Sequence, residues 1–164
     1  MMRLALSYVL AGLICLVPFL SGAQVPKGFE QLGEAEFRYF GLKLYDARLF
    51  TRDGGAFDWS QDFALEITYA RRFSQKALVK STMEEIARAG RNSPEAEAWN
   101  TCFRTVQKGH QYIAVTQGAD QVDFFLNGQR VCGLKHAGIA RSFMGIFLGE
   151  NTRSAKFTRA LRGG

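Results

Sequence analysis

"GLKLYDARLFT", Gly41 to Thr51, is the stretch on which the fold turns. Leu44, Tyr45, Leu49 and Phe50 favour burial, yet Lys43, Asp46 and Arg48 are interleaved among them. Strand parity groups Tyr45 with Lys43, Ala47 and Leu49, and sets Leu44, Asp46, Arg48 and Phe50 on the other side. Neither side is cleanly polar. A sheet with helices on one face ordinarily leaves its second face wet. A strand mixed on both faces is therefore either the wall of a hydrophobic-ligand cleft with a few polar handles, or the bed for an extra layer of helix.

Outward from that stretch, "FEQLGEAEFRYF" reads as a preceding strand separated from it at Gly41, and "RDGG" (Arg52 to Gly55) as the turn that follows. "FALEITYA" alternates strictly, with Phe63, Leu65, Ile67 and Tyr69 facing one way and Glu66 and Thr68 the other. Helices come next. Ser74 is an N-cap candidate, Val79, Met83 and Ile86 mark one face, and Gly90 closes the helix. Ser93-Pro94 predicts a second start, with Trp99, Phe103 and Val106 as its buried stripe. "QYIAVTQ" and "QVDFFL" return to strand. Asn127-Gly128 joins the latter to "QRVCGL" as a hairpin. "AGIARSFMGIFLG" is helical again, and a last short helix starts near Asn151 or Thr152. Strands, helices, a hairpin and helices in that order define an α+β chain, an antiparallel sheet with helices on one face.

The hairpin register also bears on the cysteines. Pairing Leu126 with Gln129 sets Phe124 opposite Val131 and Asp123 opposite Cys132. The apolar face of Val122, Phe124, Leu126 and Val131 should meet the helices, which turns Cys132 away from Cys102. The expectation is two free thiols rather than a bridge, although an oxidising compartment would permit one.

Signatures of common chemistry are missing. His110 and His136 have no carboxylate or cysteine at metal-ligand spacing. Asp53-Gly54-Gly55 lacks the surroundings of a phosphate loop, and Glu84-Glu85 point in different directions on their helix. In "RSAKFTRALR", Arg153, Lys156, Arg159 and Arg162 spread over one half of a helix and Phe157 and Leu161 over the other. Such a face is solvated on a docked terminal helix, or makes peripheral contact with an anionic membrane surface or a partner. The formal net charge of +6 is spread along the chain, which suits an anionic surface or small acidic ligand better than nucleic acid.

The first residues carry their own message. Arg3, an apolar run from Leu4 to Leu20 and Ser21-Gly22-Ala23 describe a secretory signal peptide over residues 1–23. The competing reading is a retained anchor, which Pro18 and the small-residue exit disfavour. One domain, residues 24–164, would then act in the periplasm or outside the cell.

"GEAEFRYFGLKLYDARLF", "LEITYARRFSQKAL" and "FFLNGQRVCGLKHAGIARSFMGIFLGENTRSAKFTRAL" together resemble the chalcone isomerase-like proteins, in particular their secreted bacterial branch. The resemblance runs in order along nearly all of residues 24–164. It implies an open-faced β-sandwich, a large antiparallel sheet with a helical layer, and a ligand cleft between the two. In the enzymes of the family an arginine early in the first strand and nearby hydroxyls serve a ring closure on an unsaturated ketone. In the fatty-acid-binding relatives an arginine and a tyrosine on these strands hold a carboxylate. Tyr45 stands at the family's tyrosine or threonine position. Gly33 is followed by Glu34 and Ala35 where the arginine is expected, which leaves Arg38 as the nearest substitute and speaks against flavonoid cyclisation. Arg48, Tyr69 and Arg71 are further ligand-binding candidates from the strand reading. The expectation is a non-catalytic binder of a small hydrophobic or fatty-acid-like molecule, without cofactor. The alternatives are an isomerase or lyase acting on an unsaturated ketone, and an envelope scaffold that binds another protein.

Overall fold

Six strands in sequential order, β1 (Phe29–Tyr39), β2 (Leu42–Arg52), β3 (Phe63–Tyr69), β4 (Gln111–Thr116), β5 (Gln121–Leu126) and β6 (Gln129–Lys135), form one antiparallel sheet in the computed structural model, which describes residues 25–164. Helices α1 (Gln75–Arg88), α2 (Ala96–Cys102), α3 (Ile139–Leu148) and α4 (Ala155–Leu161) complete the fold. The α+β open-faced architecture expected from the sequence is the one observed. The signal-peptide reading falls outside the described residues.

Local chemistry accounts for most of the boundaries. Ser74 caps α1 by accepting from the Ala77 N–H at 3.2 Å, which satisfies one of the donors left free at a helix start. Helix α2 begins later than its Ser-Pro signal. The Ser93 hydroxyl accepts from the Trp99 indole N–H at 3.0 Å instead, and Glu95 is the residue that opens the helix. Phe103 and Val106 are buried as expected but lie beyond the helix, and Val106 forms a lone bridge with Phe73. Helix α4 starts at Ser154, whose hydroxyl accepts from the Phe157 N–H at 3.2 Å.

The core lies between the sheet and the helices. Phe63, Leu65, Ile67 and Tyr69 of β3 meet Trp99, Phe143, Phe147 and Phe157 from the helical layer, and burying each such side chain is worth about 1.5–3 kcal/mol. The other face of the sheet is only partly wet. Ala64, Ile113 and Val115 form a smaller buried cluster there, flanked by Phe29, Phe50 and Phe125. Glu66, on the same face and almost wholly buried, accepts from the Arg48 Nε at 2.8 Å.

Two bulges correct the simple parity argument. In β2, Lys43 pairs with Arg38 and Tyr45 with Phe37, so Leu44 is the extra residue. Lys43 thereby changes sides and joins Asp46 (2.8 Å) and Glu36 (2.9 Å), while Tyr45 keeps the helical side with Ala47 and Leu49. The charges of the opening stretch are thus outer-face ion pairs.

In β6, Phe125 pairs with Arg130 and Phe124 with Cys132, which leaves Val131 as the extra residue. A bulge sets two consecutive side chains against one partner, so Val131 and Cys132 both pack against the core. The expectation of two free thiols is overturned for this reason. Cys102, at the end of α2, and Cys132 are bridged with their Cα atoms 5.1 Å apart, and Cys102 is fully buried. Beyond the bulge, Gly133 leaves the space in which Arg130 reaches back to Asp123 at 2.9 Å, since a Cβ there would collide with both side chains.

Gly33 has a different reason to be glycine. A Cβ at this position would lie 2.3 Å from the Ala160 carbonyl oxygen and 2.5 Å from that of Leu161. The end of α4 therefore rests directly on the β1 backbone. Gly33→Ala should cost about 1–3 kcal/mol by overpacking, and amide exchange should show α4 as the element loosened most. Exchange that rises uniformly, or not at all, would contradict this account of the contact.

Candidate functional site

A cavity of about 420 Å³ lies between the sheet and the helices. Its floor is aliphatic and aromatic, with Leu65, Ile67 and Ala114 from the central strands and Phe124 from β5. Phe143 and Phe147 of α3 and Phe157 of α4 roof it. Its volume falls within the range of small-molecule sites, about 300–1,000 Å³.

Three phenols border this space in two different states. The Tyr112 hydroxyl is fully used, donating to the Cys102 carbonyl at 3.1 Å and accepting from the Arg104 N–H at 2.8 Å. It anchors the chain at the end of α2. Tyr45 and Tyr69, cross-strand neighbours on β2 and β3, have no hydrogen-bond partner for their hydroxyls among the described residues. Their rings are held edge-on at 6.5 Å, and Tyr45 also stacks on Phe37 at 5.1 Å. Neither hydroxyl is sealed off, since His110 Nδ1 is the one buried side-chain polar atom without a partner among the described residues, so this pair presents unused bonding capacity to the cavity.

The rim is charged. Glu85 of α1 accepts from Arg153 Nε at 2.5 Å and from the Arg88 guanidinium at 2.9 Å. Arg153, in the α3–α4 connection, also lies over the Tyr39 ring with Cζ 5.8 Å from its centroid. Glu85 and Arg153 both line the cavity. One carboxylate thus carries two guanidiniums, and Arg153 is the one that faces the apolar space.

Burial, reinforced by Glu85 and only partly offset by Arg153, pushes the Tyr45 phenol well above its ordinary range. Burial, with Tyr112 and Tyr45 nearby, does the same to Tyr69. Burial also raises Tyr112, against the Arg104 N–H bond and the Arg104 charge. All three remain protonated donors at neutral pH. The hydrogen bond that Arg153 donates to Glu85 raises its guanidinium further, so its charge is permanent.

The sign of the pH effect follows. A phenol raised on folding contributes stability that is complete below the unfolded value of about 10 and is lost as pH climbs toward the folded value. Phenolate absorbance from these three tyrosines should therefore appear together with loss of the far-ultraviolet signal above pH ~10. Their ionisation in a chain that remains folded would show that the cavity is wetter than its lining implies.

The structure brings Tyr45 and Tyr69 to the cavity and leaves the three arginine candidates off its lining. Arg38 is exposed, paired with Glu36 and donating to the Gly41 carbonyl at 3.1 Å. Arg48 lies across the sheet with Glu66. Arg71 is exposed beyond the end of β3. Arg153 and Glu85, which border the cavity in their place, carried no usable local signal. One belonged to a basic helical stretch and the other to an acidic dipeptide, and only the packing of the α3–α4 connection on α1 joins them.

Fold and site together define an open-faced sheet-and-helix sandwich with an internal hydrophobic cavity. The chain shares this fold with a fatty-acid binding protein of Arabidopsis thaliana, with a TM-score of 0.64 and 10% identity over 86% of this chain and 90% of that one. No family model matches the sequence, and no curated protein matches it.

Proposed function

We propose that the protein is a non-catalytic binder of a small hydrophobic molecule with an acidic head, of the fatty-acid type. The observation that carries this reading is the pair of Tyr45 and Tyr69 hydroxyls, unbonded among the described residues and opening into an aromatic cavity with Arg153 at its rim. An alkyl or aryl tail gains from burial against the phenylalanine roof. A carboxylate head takes a hydrogen bond from Tyr45 and the charge of Arg153, while Glu85 keeps Arg88 as its partner. The binding function of the Arabidopsis neighbour agrees with this reading. The apolar N-terminal run supports action in the periplasm or outside the cell.

Calorimetric titration of delipidated protein with saturated fatty acids of increasing chain length tests the proposal. A hydrogen bond to a charged group is worth about 1.5–3 kcal/mol, so Tyr45→Phe should weaken binding roughly tenfold to a hundredfold with little change in stability. Arg153→Gln should weaken acids much more than the corresponding alcohols. A wild-type protein that takes up no fatty acid of any length would sink the reading, as would affinities indifferent to both substitutions. Turnover of an α,β-unsaturated ketone by the same preparation would move the protein to the isomerase alternative.

A further inference from the structure

The hairpin between β1 and β2 has an unusual tip. Phe40 and Gly41 form a two-residue loop with φ of +47° and +77°, between the paired residues Tyr39 and Leu42. The β5–β6 hairpin uses the same backbone, with Asn127 at +49° and Gly128 at +84°. Asn is the residue such a turn favours at its first position, and a bulky side chain there is held in the sparsely populated left-handed region. Phe40 gains only an edge-on contact with the Tyr39 ring, centroids 4.4 Å apart, and is otherwise 87% exposed. Tyr39 and Leu42 beside it are the other large apolar residues left exposed among the described residues. The turn is thus strained around an aromatic side chain that the core does not bury.

The surroundings say what could use it. The Ala70 N–H bonds the Leu44 carbonyl at 2.9 Å, and the Gly109 N–H bonds the Tyr69 carbonyl at 2.8 Å. This end of the sheet therefore also carries Arg71, Arg72 and Lys108, all exposed and without a carboxylate partner among the described residues. The carboxylates nearby are already engaged. Glu36 pairs with Arg38 and Lys43, Glu84 with Lys80, and Glu85 with Arg88 and Arg153. Tyr39 also borders the cavity, under Arg153, so the tip stands at the cavity mouth.

We infer that the Tyr39–Leu42 tip is a lipid-docking element that seats the mouth of the cavity on an anionic bilayer surface. A convex turn of two residues is too small for a stable protein interface, which needs roughly 800 Å² from each partner. An aromatic tip ringed by cations fits a membrane, where rings settle at headgroup depth and each nearby cation is attracted to anionic lipid. Docking there would let an apolar ligand pass between bilayer and cavity without crossing water. That consequence rests on the binding function proposed above, whereas the docking itself does not.

The test uses the full chain expressed in its own cell and recovered as that cell matures it. Co-sedimentation is measured with phosphatidylcholine vesicles, with and without phosphatidylglycerol. The wild type should prefer the anionic vesicles. Phe40→Asn gives the turn its favoured dipeptide, so its melting temperature should hold or rise while vesicle affinity falls roughly tenfold. Arg71→Gln with Arg72→Gln should abolish the preference for phosphatidylglycerol. Amide exchange at Tyr39–Lys43, slowed by vesicles in the wild type, reads the tip itself whatever the N-terminal residues contribute. Exchange there that vesicles leave unchanged overturns the inference, including the case in which the tip is a seat for another protein. Fatty-acid titration without vesicles separates the two proposals. Phe40→Asn should keep its ligand affinity, and a chain that docks through Phe40 yet binds no fatty acid would leave this inference standing and remove the other.

Discussion

Replacing Cys102 and Cys132 together by alanine should lower stability in denaturant melts by about 3–4 kcal/mol. The bridge closes a loop with a sequence separation of 30, and the chain-entropy cost released to the unfolded state by cutting a loop of that size is about 3.6 kcal/mol. Helix α2 should suffer most. It has seven residues and no side-chain cap, and so short a helix has no independent stability. The bridge and the Tyr112 hydroxyl fix its last turn to the sheet. Reduction of the unsubstituted protein should reproduce the loss. Equal midpoints for oxidised and reduced protein would mean that the unfolded chain is already constrained, or that no bond forms.

Trp99→Ala should cost as much or more, about 3–5 kcal/mol. Trp99 is fully buried, stacked on Phe103 with centroids 5.5 Å apart, and set edge-on to Phe124 at 6.3 Å. Its indole N–H is satisfied by Ser93, so removal also leaves that hydroxyl with a lost partner. Both changes release α2, which predicts coupling. The combined variant should lose less than the two separate losses together, by more than the ~0.5 kcal/mol typical of independent sites. Strict additivity in chemical melts would show that the helix is held at two unrelated places.

The contrast between what was and was not legible in the sequence follows from range. Helix α1 was readable because Ser74 and Gly90 lie just outside its two ends and the Val79–Ile86 stripe lies within it. The alternation of β3 and the Asn127-Gly128 turn were equally local. The bulges at Leu44 and Val131 were not, since an extra residue in a strand is defined by the partner across from it. Both parity errors, Lys43 on the wrong face and Cys132 turned from the helices, have this single cause. Helix α2 was misplaced because the Ser93 hydroxyl, a plausible cap, is taken by Trp99. At the cavity, Tyr45 was reached through strand parity together with the family resemblance, and Tyr69 through the strand reading alone. The cations were beyond its reach, because the arginine that borders the cavity belongs to a connection that folds back over α1.

The sheet's sequential order has a consequence for how it can be assembled. Every strand hydrogen-bonds to its neighbours in the chain, so strands can be added in the order of synthesis without reopening a pair already made. One pause interrupts that growth, between Tyr69 and Gln111, where α1 and α2 must be laid aside before β4 can join β3. The bridge from Cys102 to Cys132 ties a residue made during the pause to one in the last strand. It can close only when the sheet is nearly complete, and so serves as a latch on a finished fold rather than a guide to an unfinished one.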